Sequence, residues 1–187
     1  MSRRSTMSGA TDGSGPAPAE RSFEPITDED LARLSTLARA DREDLFARKP
    51  LLGQRYAHRL LCVALCQGAA LHYLHGRNGV KDFDVWTFYA EHPDGPFPYR
   101  RIGRRDFGPS KFGRMPNDIR PYVGRRVDLV ARSLPEQPNA HPVEALHRYL
   151  QRSRTASAQA LASKAVILLD PVSLRGVAAW PLADGRG

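Results

Sequence analysis

The chain has 187 residues, of which 41% are hydrophobic and 26% are charged. This composition suits one globular domain with a real core and leaves little room for a second. No apolar run approaches the roughly 18 residues needed to cross a bilayer, and the first 22 residues have the basic start of a signal peptide without its apolar middle. We therefore expect a soluble, cytoplasmic protein without a membrane partner.

The chain begins with a segment that cannot form a core. Residues 1–22 are rich in Ser, Gly, Pro and Ala, so they cannot offset the entropy of ordering, and we expect a disordered tail before a single domain over 23–187. "TDEDLARLSTLARA" follows, with Thr27 and Asp30 at capping-box spacing and apolar residues at helical intervals. It predicts an amphipathic helix, with another short helix around "REDLFAR".

The next segment predicts the order strand, turn, helix, turn, strand. "HRLLCVALCQG" is a continuous apolar run; periodicity alone does not separate a buried strand from a buried helix, and the terminal Gly68 favours the strand. Its two cysteines, Cys62 and Cys66, are too few for a disulfide framework and lack a second ligand pair for zinc, so we expect buried thiols. "AALHYLHG" predicts a short helix, and "NG" a turn into the aromatic run "VKDFDVWTFYA".

From Pro93 to Gly124 the chain is full of Pro, Gly and Arg, and loops of this length are usually functional or disordered. "GRRVDLVARSL" then predicts a strand, and "HPVEALHRYLQRS" predicts a helix with a proline in its first turn. "TASAQALASKAVILLDP" predicts a helix that leads into a buried strand, and "GVAAWP" predicts an edge strand.

The net charge of +8 is concentrated in one segment. Residues 99–126 hold nine Lys and Arg side chains against Asp106 and Asp118, a local excess of nine minus two, or +7. Such an excess favours a polyanionic partner such as a nucleotide, a nucleic acid or an acidic protein surface. The alternative is a solvated loop that aids solubility.

Three aspartates carry the strongest chemical signal. Residues i and i+2 of a strand share a face, so Asp82 and Asp84 are expected side by side, with Phe83 facing the core. Adjacent carboxylates repel unless a cation lies between them, and Mg²⁺ or Mn²⁺ prefers such oxygen ligands. Asp128 stands alone in the apolar "RRVDLVA". If the two strands are neighbours, the trio can hold two metal ions for in-line phosphoryl displacement. The other interpretation is a pair of solvent-facing strand-edge aspartates.

"CQGAALHYLHGRNGVKDFDVW" followed by "RRVDLV" resembles the nucleotidyltransferase superfamily related to DNA polymerase beta. The pattern is an apolar strand, a Gly-Ser turn that opens a helix, an Asp-x-Asp strand and a later strand with a third acid. The resemblance covers roughly residues 55–170. It implies the α/β (α+β) class, with a mixed β-sheet flanked by helices, and transfer of a nucleoside monophosphate from a nucleoside triphosphate to an acceptor.

The resemblance also assigns nucleotide contacts. It places the triphosphate on Gly68 and Ala69, although Ala69 stands where the family usually has serine, so one hydrogen bond is missing while the backbone amides remain. Gln67 can add a side-chain contact. In the basic loop, we expect Lys111 and Arg114 to meet phosphates and Phe107 or Phe112 to stack on a base.

Two pairs of basic residues are further candidates for the site. Either Arg125 or Arg126 is expected to face the Asp128 cleft, and Arg126 is favoured because it lies nearer along the chain. His72 and His75 lie three residues apart in the predicted helix but have no further ligand at suitable spacing, so we interpret them as structural or surface residues.

The leading hypothesis is a two-metal nucleotidyltransferase in which Asp82, Asp84 and Asp128 bind Mg²⁺ or Mn²⁺. Its acceptor is an RNA end such as transfer RNA, a protein hydroxyl or a small molecule, and toxin-type members of the superfamily suggest an antitoxin-like protein partner. The alternatives are an inactive module of the same fold that binds nucleic acid through residues 99–126, and an unrelated metal-dependent hydrolase.

Overall fold

The computed structural model describes residues 20–98, 101–116, 118 and 120–181, except the side chains of residues 101 and 102. Most of the expected tail, residues 1–19, lies outside this range. The elements are α1 (Asp28–Arg48), α2 (Pro50–Tyr56), β1 (Leu60–Cys66), α3 (Gln67–His75), β2 (Phe83–Ala90), β3 (Arg101–Asp106), β4 (Arg126–Leu134), α4 (Pro142–Arg152), α5 (Ala156–Ala162), β5 (Ala165–Asp170) and β6 (Ala178–Trp180), with a short 3₁₀ turn (Val172–Leu174) before β6.

The strands form one mixed sheet in the order β3-β4-β2-β1-β5-β6. Strands β2 and β4 are parallel, and every other neighbouring pair is antiparallel. The expected α/β class with a mixed sheet flanked by helices is confirmed. None of the helices in the described ranges is both long and apolar enough to cross a membrane.

Alternate residues of the strands face two separate cores. In β2, Phe83 and Val85 face the core that α1 and α3 cover. Trp86 and Phe88 face the second core, which α4 and α5 cover. Because side chains alternate along a strand, Asp84 belongs to the face of Trp86, on the side of α4 and α5.

Helix α1 confirms one prediction and corrects another. Thr27 and Asp30 form the predicted capping box, which satisfies backbone N–H groups at the helix start. The short separate helix expected around "REDLFAR" is wrong, because α1 continues to Arg48. Its buried residues Leu31, Leu34, Ala38, Asp41 and Leu45 recur every three or four positions, so a single buried stripe extends along the whole helix.

The basic segment contains more structure than expected. The long connection predicted from Pro93 to Gly124 contains β3, which pairs antiparallel with β4, so that prediction is wrong in part. After β3, the Asp106 carboxylate accepts backbone N–H groups from Gly108, Val123 and Gly124 at 2.8, 2.8 and 3.0 Å. These bonds bring the two ends of the following loop together.

Candidate active site

The fold brings the three aspartates to one end of the β2–β4 pair. Asp84 and Asp128 are directly opposite each other in the parallel register, and Asp82 lies one residue before β2 begins at Phe83. Val127 and Leu129, on either side of Asp128, face the α1 core, so both strand aspartates face the other side. The two acidic strands are therefore neighbours, which is the condition under which the three carboxylates converge.

Asp84 lies in an environment that opposes ionisation. Burial, followed by the charges of Asp82 and Asp128, raises its pKa from 3.8 to about 6, and Lys164 and Arg126 offset part of that rise. On the neighbouring strand β1, Asp84 is paired with Cys66, which is a buried free thiol. Burial, and then the charge of Asp84, raise the pKa of this thiol well above its usual value. Negative charge is therefore costly here unless a cation compensates it.

Arg126 supplies that compensation between two of the carboxylates. Its Nη2 donates to Oδ2 of Asp82 at 2.7 Å, and its Nε donates to Oδ2 of Asp128 at 3.1 Å. The three side chains are 25%, 23% and 18% exposed, so solvent screens these pairs only in part. The prediction that Arg126 faces the Asp128 cleft is confirmed, whereas Arg125 is buried and donates to the backbone carbonyls of Phe112, Glu20 and Lys81.

One carboxylate oxygen of the cluster keeps free acceptor capacity. Oδ1 of Asp128 is buried and accepts no hydrogen bond from the described residues. The guanidinium Nε of Arg104, on β3, lies 3.4 Å from it without the alignment of a hydrogen bond. An orphaned buried oxygen of this kind is costly, and it is available to a ligand or cation.

A pocket of about 380 Å³ opens beside Asp82 and Asp84. The start of α3 lines it and has no side-chain cap. Gln67 forms a β-bridge with Ala165, and the backbone N–H groups of the first turn that this bridge does not use are available to an anion. The lining residues of the pocket are Arg21, Gly68, Ala69, Asn78, Gly79, Lys81, Asp82, Asp84 and Lys164.

The three residues at the turn into α3 differ in backbone conformation and in the space around their side chains. Gln67 has a left-handed φ of 62°, a conformation that costs a non-glycine residue about 1–3 kcal/mol. A Cβ built on Gly68 would have no atom within 4 Å, whereas Ala69 is 3% exposed and packs in the α1 core. Of the two positions, Gly68 is the one from which a side chain has open space.

Three cations of this pocket were not predicted. Lys164 directly precedes β5 and lines the pocket with Lys81 and Arg21. Lys81 also forms an ion pair with Glu20 at 3.1 Å. Lys81 was visible in the sequence as the neighbour of Asp82, but Arg21 and Lys164 have no local signal, because tertiary structure alone brings them to Asp84.

The loop residues that were expected to contact the nucleotide make other contacts in the structure. Phe107 and Phe112 are 1% and 2% exposed and pack against Phe83, so the expectation that either ring stacks on a base is wrong in this arrangement. Lys111 forms an ion pair with Asp30 of α1 at 2.8 Å. It is not among the residues that line the pocket beside Asp82 and Asp84. Arg114 is exposed in the same loop and is not among the residues that line the pocket.

His72 has the structural role that was predicted for it. It is buried, its Nδ1 accepts from the backbone N–H of Gly79 at 3.1 Å, and its Nε2 lies 3.0 Å from the carbonyl of Glu24. His75 is exposed at the end of α3.

The donor chemistry of the cluster fits a hard divalent ion, although the side-chain arrangement is not a preformed cage. Within the described ranges, no group of three or more His, Cys, Asp and Glu side chains is placed to hold a metal ion. Arg126 lies between Asp82 and Asp128, where a cation would be needed. Three carboxylates, one with an orphaned oxygen, are the ligands that Mg²⁺ and Mn²⁺ prefer.

Comparison with protein-family models, with curated proteins and with solved structures gives no match.

Proposed function

We propose that the chain is a metal-dependent nucleotidyltransferase. It transfers a nucleoside monophosphate from a nucleoside triphosphate to the hydroxyl of an acceptor and releases pyrophosphate. The observation that carries the proposal is the convergence of Asp82, Asp84 and Asp128 beside a cationic pocket that includes the start of a helix.

In the proposed complex, the triphosphate occupies the pocket beside α3. Free N–H groups at the helix start bind phosphate oxygens, and Lys81, Lys164 and Arg21 balance their charge. The bond from the α-phosphorus to the bridging oxygen breaks on this side, so the leaving pyrophosphate departs toward these cations.

The acceptor approaches from the β4 side, where Asp128 lies. Its hydroxyl oxygen forms the new bond to the α-phosphorus in line with the leaving group, and the hydroxyl proton passes to the Asp128 carboxylate. Asp82, Asp84 and Asp128 would hold Mg²⁺ or Mn²⁺, which supplies positive charge to the attacking oxygen, the transferred phosphoryl group and the leaving oxygen. The Arg126 guanidinium has to leave the Asp82–Asp128 gap for this arrangement, since it donates to both carboxylates.

The test is label transfer from each of the four labelled nucleoside triphosphates, with Mg²⁺ and total RNA as acceptor. The double change Asp82→Asn and Asp84→Asn is expected to lower transfer by about 10²-fold or more. Asp94→Asn, at a carboxylate that is 62% exposed and outside the site, is the matched control and should retain full transfer. Transfer that survives the double change contradicts the assigned site.

The second candidate is an inactive module of the same fold that binds nucleic acid. The ion pairs of Arg126 with Asp82 and Asp128 favour it, because they neutralise the cluster without a metal. Clustered acids argue against it, because they repel a polyanion. Salt-sensitive RNA binding by the wild type and the double variant, with no transfer by either, would select this candidate.

A further inference from the structure

A second charged pocket lies away from the triphosphate pocket, at the carboxyl ends of β2 and β4. Its volume is about 460 Å³. Its lining includes three arginines, two glutamates and a tyrosine: Arg132, Arg148, Arg152, Glu91, Glu136 and Tyr149. The function proposed above makes no use of this pocket.

The arginines of the pocket are not equivalent. Arg148 forms a two-pronged ion pair with Glu136, at 2.9 and 2.8 Å, so its charge is already matched. Arg132 lies over the Tyr149 ring, 4.6 Å from the centroid, and donates to its hydroxyl. Neither Arg132 nor Arg152 forms an ion pair with a carboxylate in the described part of the chain. The charge of Arg152 contributes to lowering the pKa of Glu136, after the larger effect of Arg148, without a close ion pair. Arg152 and Arg132, which the aromatic ring holds in place, can therefore both meet an anion.

The register of β4 links this pocket to the carboxylate cluster. Asp128, Val130 and Arg132 alternate on one face of the strand, so Asp128 and Arg132 are separated by about 13 Å at ~3.3 Å per residue. Val130 between them is only partly buried. Arg104, beside Asp128, has a side chain that is 46% exposed. We call the row Asp128, Val130 and Arg132 the acceptor strip. It is partly exposed to solvent, and a cation lies at each end, Arg104 beside Asp128 and Arg132 itself.

We propose that a single-stranded nucleic-acid acceptor lies along this strip, with its terminal hydroxyl at Asp128 and an upstream phosphate at Arg132 and Arg152. This inference rests on the proposed function. The distance of about 13 Å is the reason for the choice of acceptor. A nucleic-acid strand carries phosphates at regular intervals behind its terminal hydroxyl, whereas a small sugar is too short to reach both sites and a protein acceptor has no regular series of anions. The apolar faces of Pro96, Pro135 and Tyr149 in the pocket suit the sugars and bases between phosphates.

The test is a fluorescence-anisotropy titration of a labelled 12-nucleotide single-stranded RNA without nucleoside triphosphate or divalent ion. Arg132→Gln and Arg152→Gln are each expected to weaken binding about tenfold and to lower the slope of log affinity against log salt by about 0.7, the value for one phosphate contact of a single strand. Arg39→Gln is the matched control, an exposed arginine on α1, across the sheet from the pocket. Its affinity should stay within about twofold of the wild type.

The two variants protect the test against misfolding. Arg132 contacts Tyr149, so its replacement can lower stability, whereas Arg152 is exposed and its replacement should leave the melting temperature unchanged. The inference is overturned if Arg152→Gln binds RNA with the same affinity and the same slope of log affinity against log salt as Arg39→Gln. It is also overturned if inorganic phosphate displaces RNA equally well from the wild type and from Arg152→Gln.

Failure here is distinguishable from failure of the proposed function, because the titration does not need transfer. Label transfer by the wild type, with RNA binding unchanged in both pocket variants, removes the acceptor strip alone. Weakened RNA binding in both pocket variants, with no transfer by the wild type, removes nucleotidyl transfer and leaves the RNA-binding strip.

Discussion

Replacing Asp84 with Asn should change how the stability of the chain depends on pH. The pKa of this carboxyl is about 6 in the folded chain, against an ordinary 3.8, chiefly because of burial. The folded chain therefore binds the proton more tightly than the unfolded chain. The associated stability is fully present below about pH 3.8 and is lost as pH rises through about 6.

The magnitude follows from the two pKa values. Their difference, at about 1.4 kcal/mol per pH unit, corresponds to about 3 kcal/mol of unfolding free energy that the wild type loses between acidic and neutral pH. Asn is uncharged at every pH and avoids that loss. The unfolded carboxyl is already partly ionised at about pH 4, so the stability of Asp84→Asn relative to the wild type should be about 2.5 kcal/mol more favourable at about pH 8 than at about pH 4.

The assay is urea unfolding at both pH values and fixed ionic strength, without divalent ions. Asp94→Asn, at an exposed aspartate, is the control and should differ from the wild type by a similar small amount at both. If the Asp84→Asn difference is the same at both pH values, the Asp84 carboxylate is compensated in the folded chain and the reasoning is refuted.

Three further experiments, with four substitutions, test the surroundings of Asp84. Arg126→Gln should destabilise the metal-free chain by about 1–2 kcal/mol, since it removes the ion pairs with Asp82 and Asp128. Thermal melts should show a larger Mn²⁺-induced rise in Tm for this variant than for the wild type, and equal rises would contradict a shared position for arginine and metal. Gly68→Ser should change the free energy of unfolding by less than about 0.5 kcal/mol, because its side chain meets open space. Ala69→Ser should lower it by about 1–3 kcal/mol, because it buries a hydroxyl in the core. Urea unfolding that shows the larger loss for Gly68→Ser would place the open position at residue 69. Gln67→Gly should raise the free energy of unfolding by about 1 kcal/mol in the same assay, because glycine adopts a φ of 62° without strain. A lower free energy of unfolding would mean that contacts of the glutamine side chain contribute more than its backbone strain costs.

Only the Gly68→Ser and Ala69→Ser comparison bears on the missing serine. The resemblance places the absent hydroxyl at Ala69, a position whose side chain packs in the core. Gly68 lines the pocket and has room for a Cβ. If a hydroxyl at this turn assists phosphate binding, Gly68→Ser is the variant expected to raise the affinity for nucleoside triphosphate, measured by isothermal calorimetry.

Much of the fold is predictable because its signals are local. The apolar run before Gly68, the glycine that ends α3 and the Thr27–Asp30 capping box each depend on neighbouring residues. The prediction missed β3, whose glycine and arginines have little strand propensity. That segment is a strand because β4 offers it a row of hydrogen-bonding partners, and no property of the segment alone reveals this.

The sequence by itself determined that Asp82 and Asp84 lie together at the start of an apolar strand and that Asp128 lies within another, since side-chain alternation and composition are local properties. Tertiary structure decided that the two strands are parallel neighbours, that Arg126 lies between two of the acids, and that Lys164 lines the adjacent pocket. It also placed Phe107 and Phe112 in the core. The reason is that electrostatic compensation and burial depend on distances through space, and strand pairing sets those distances for residues far apart along the chain.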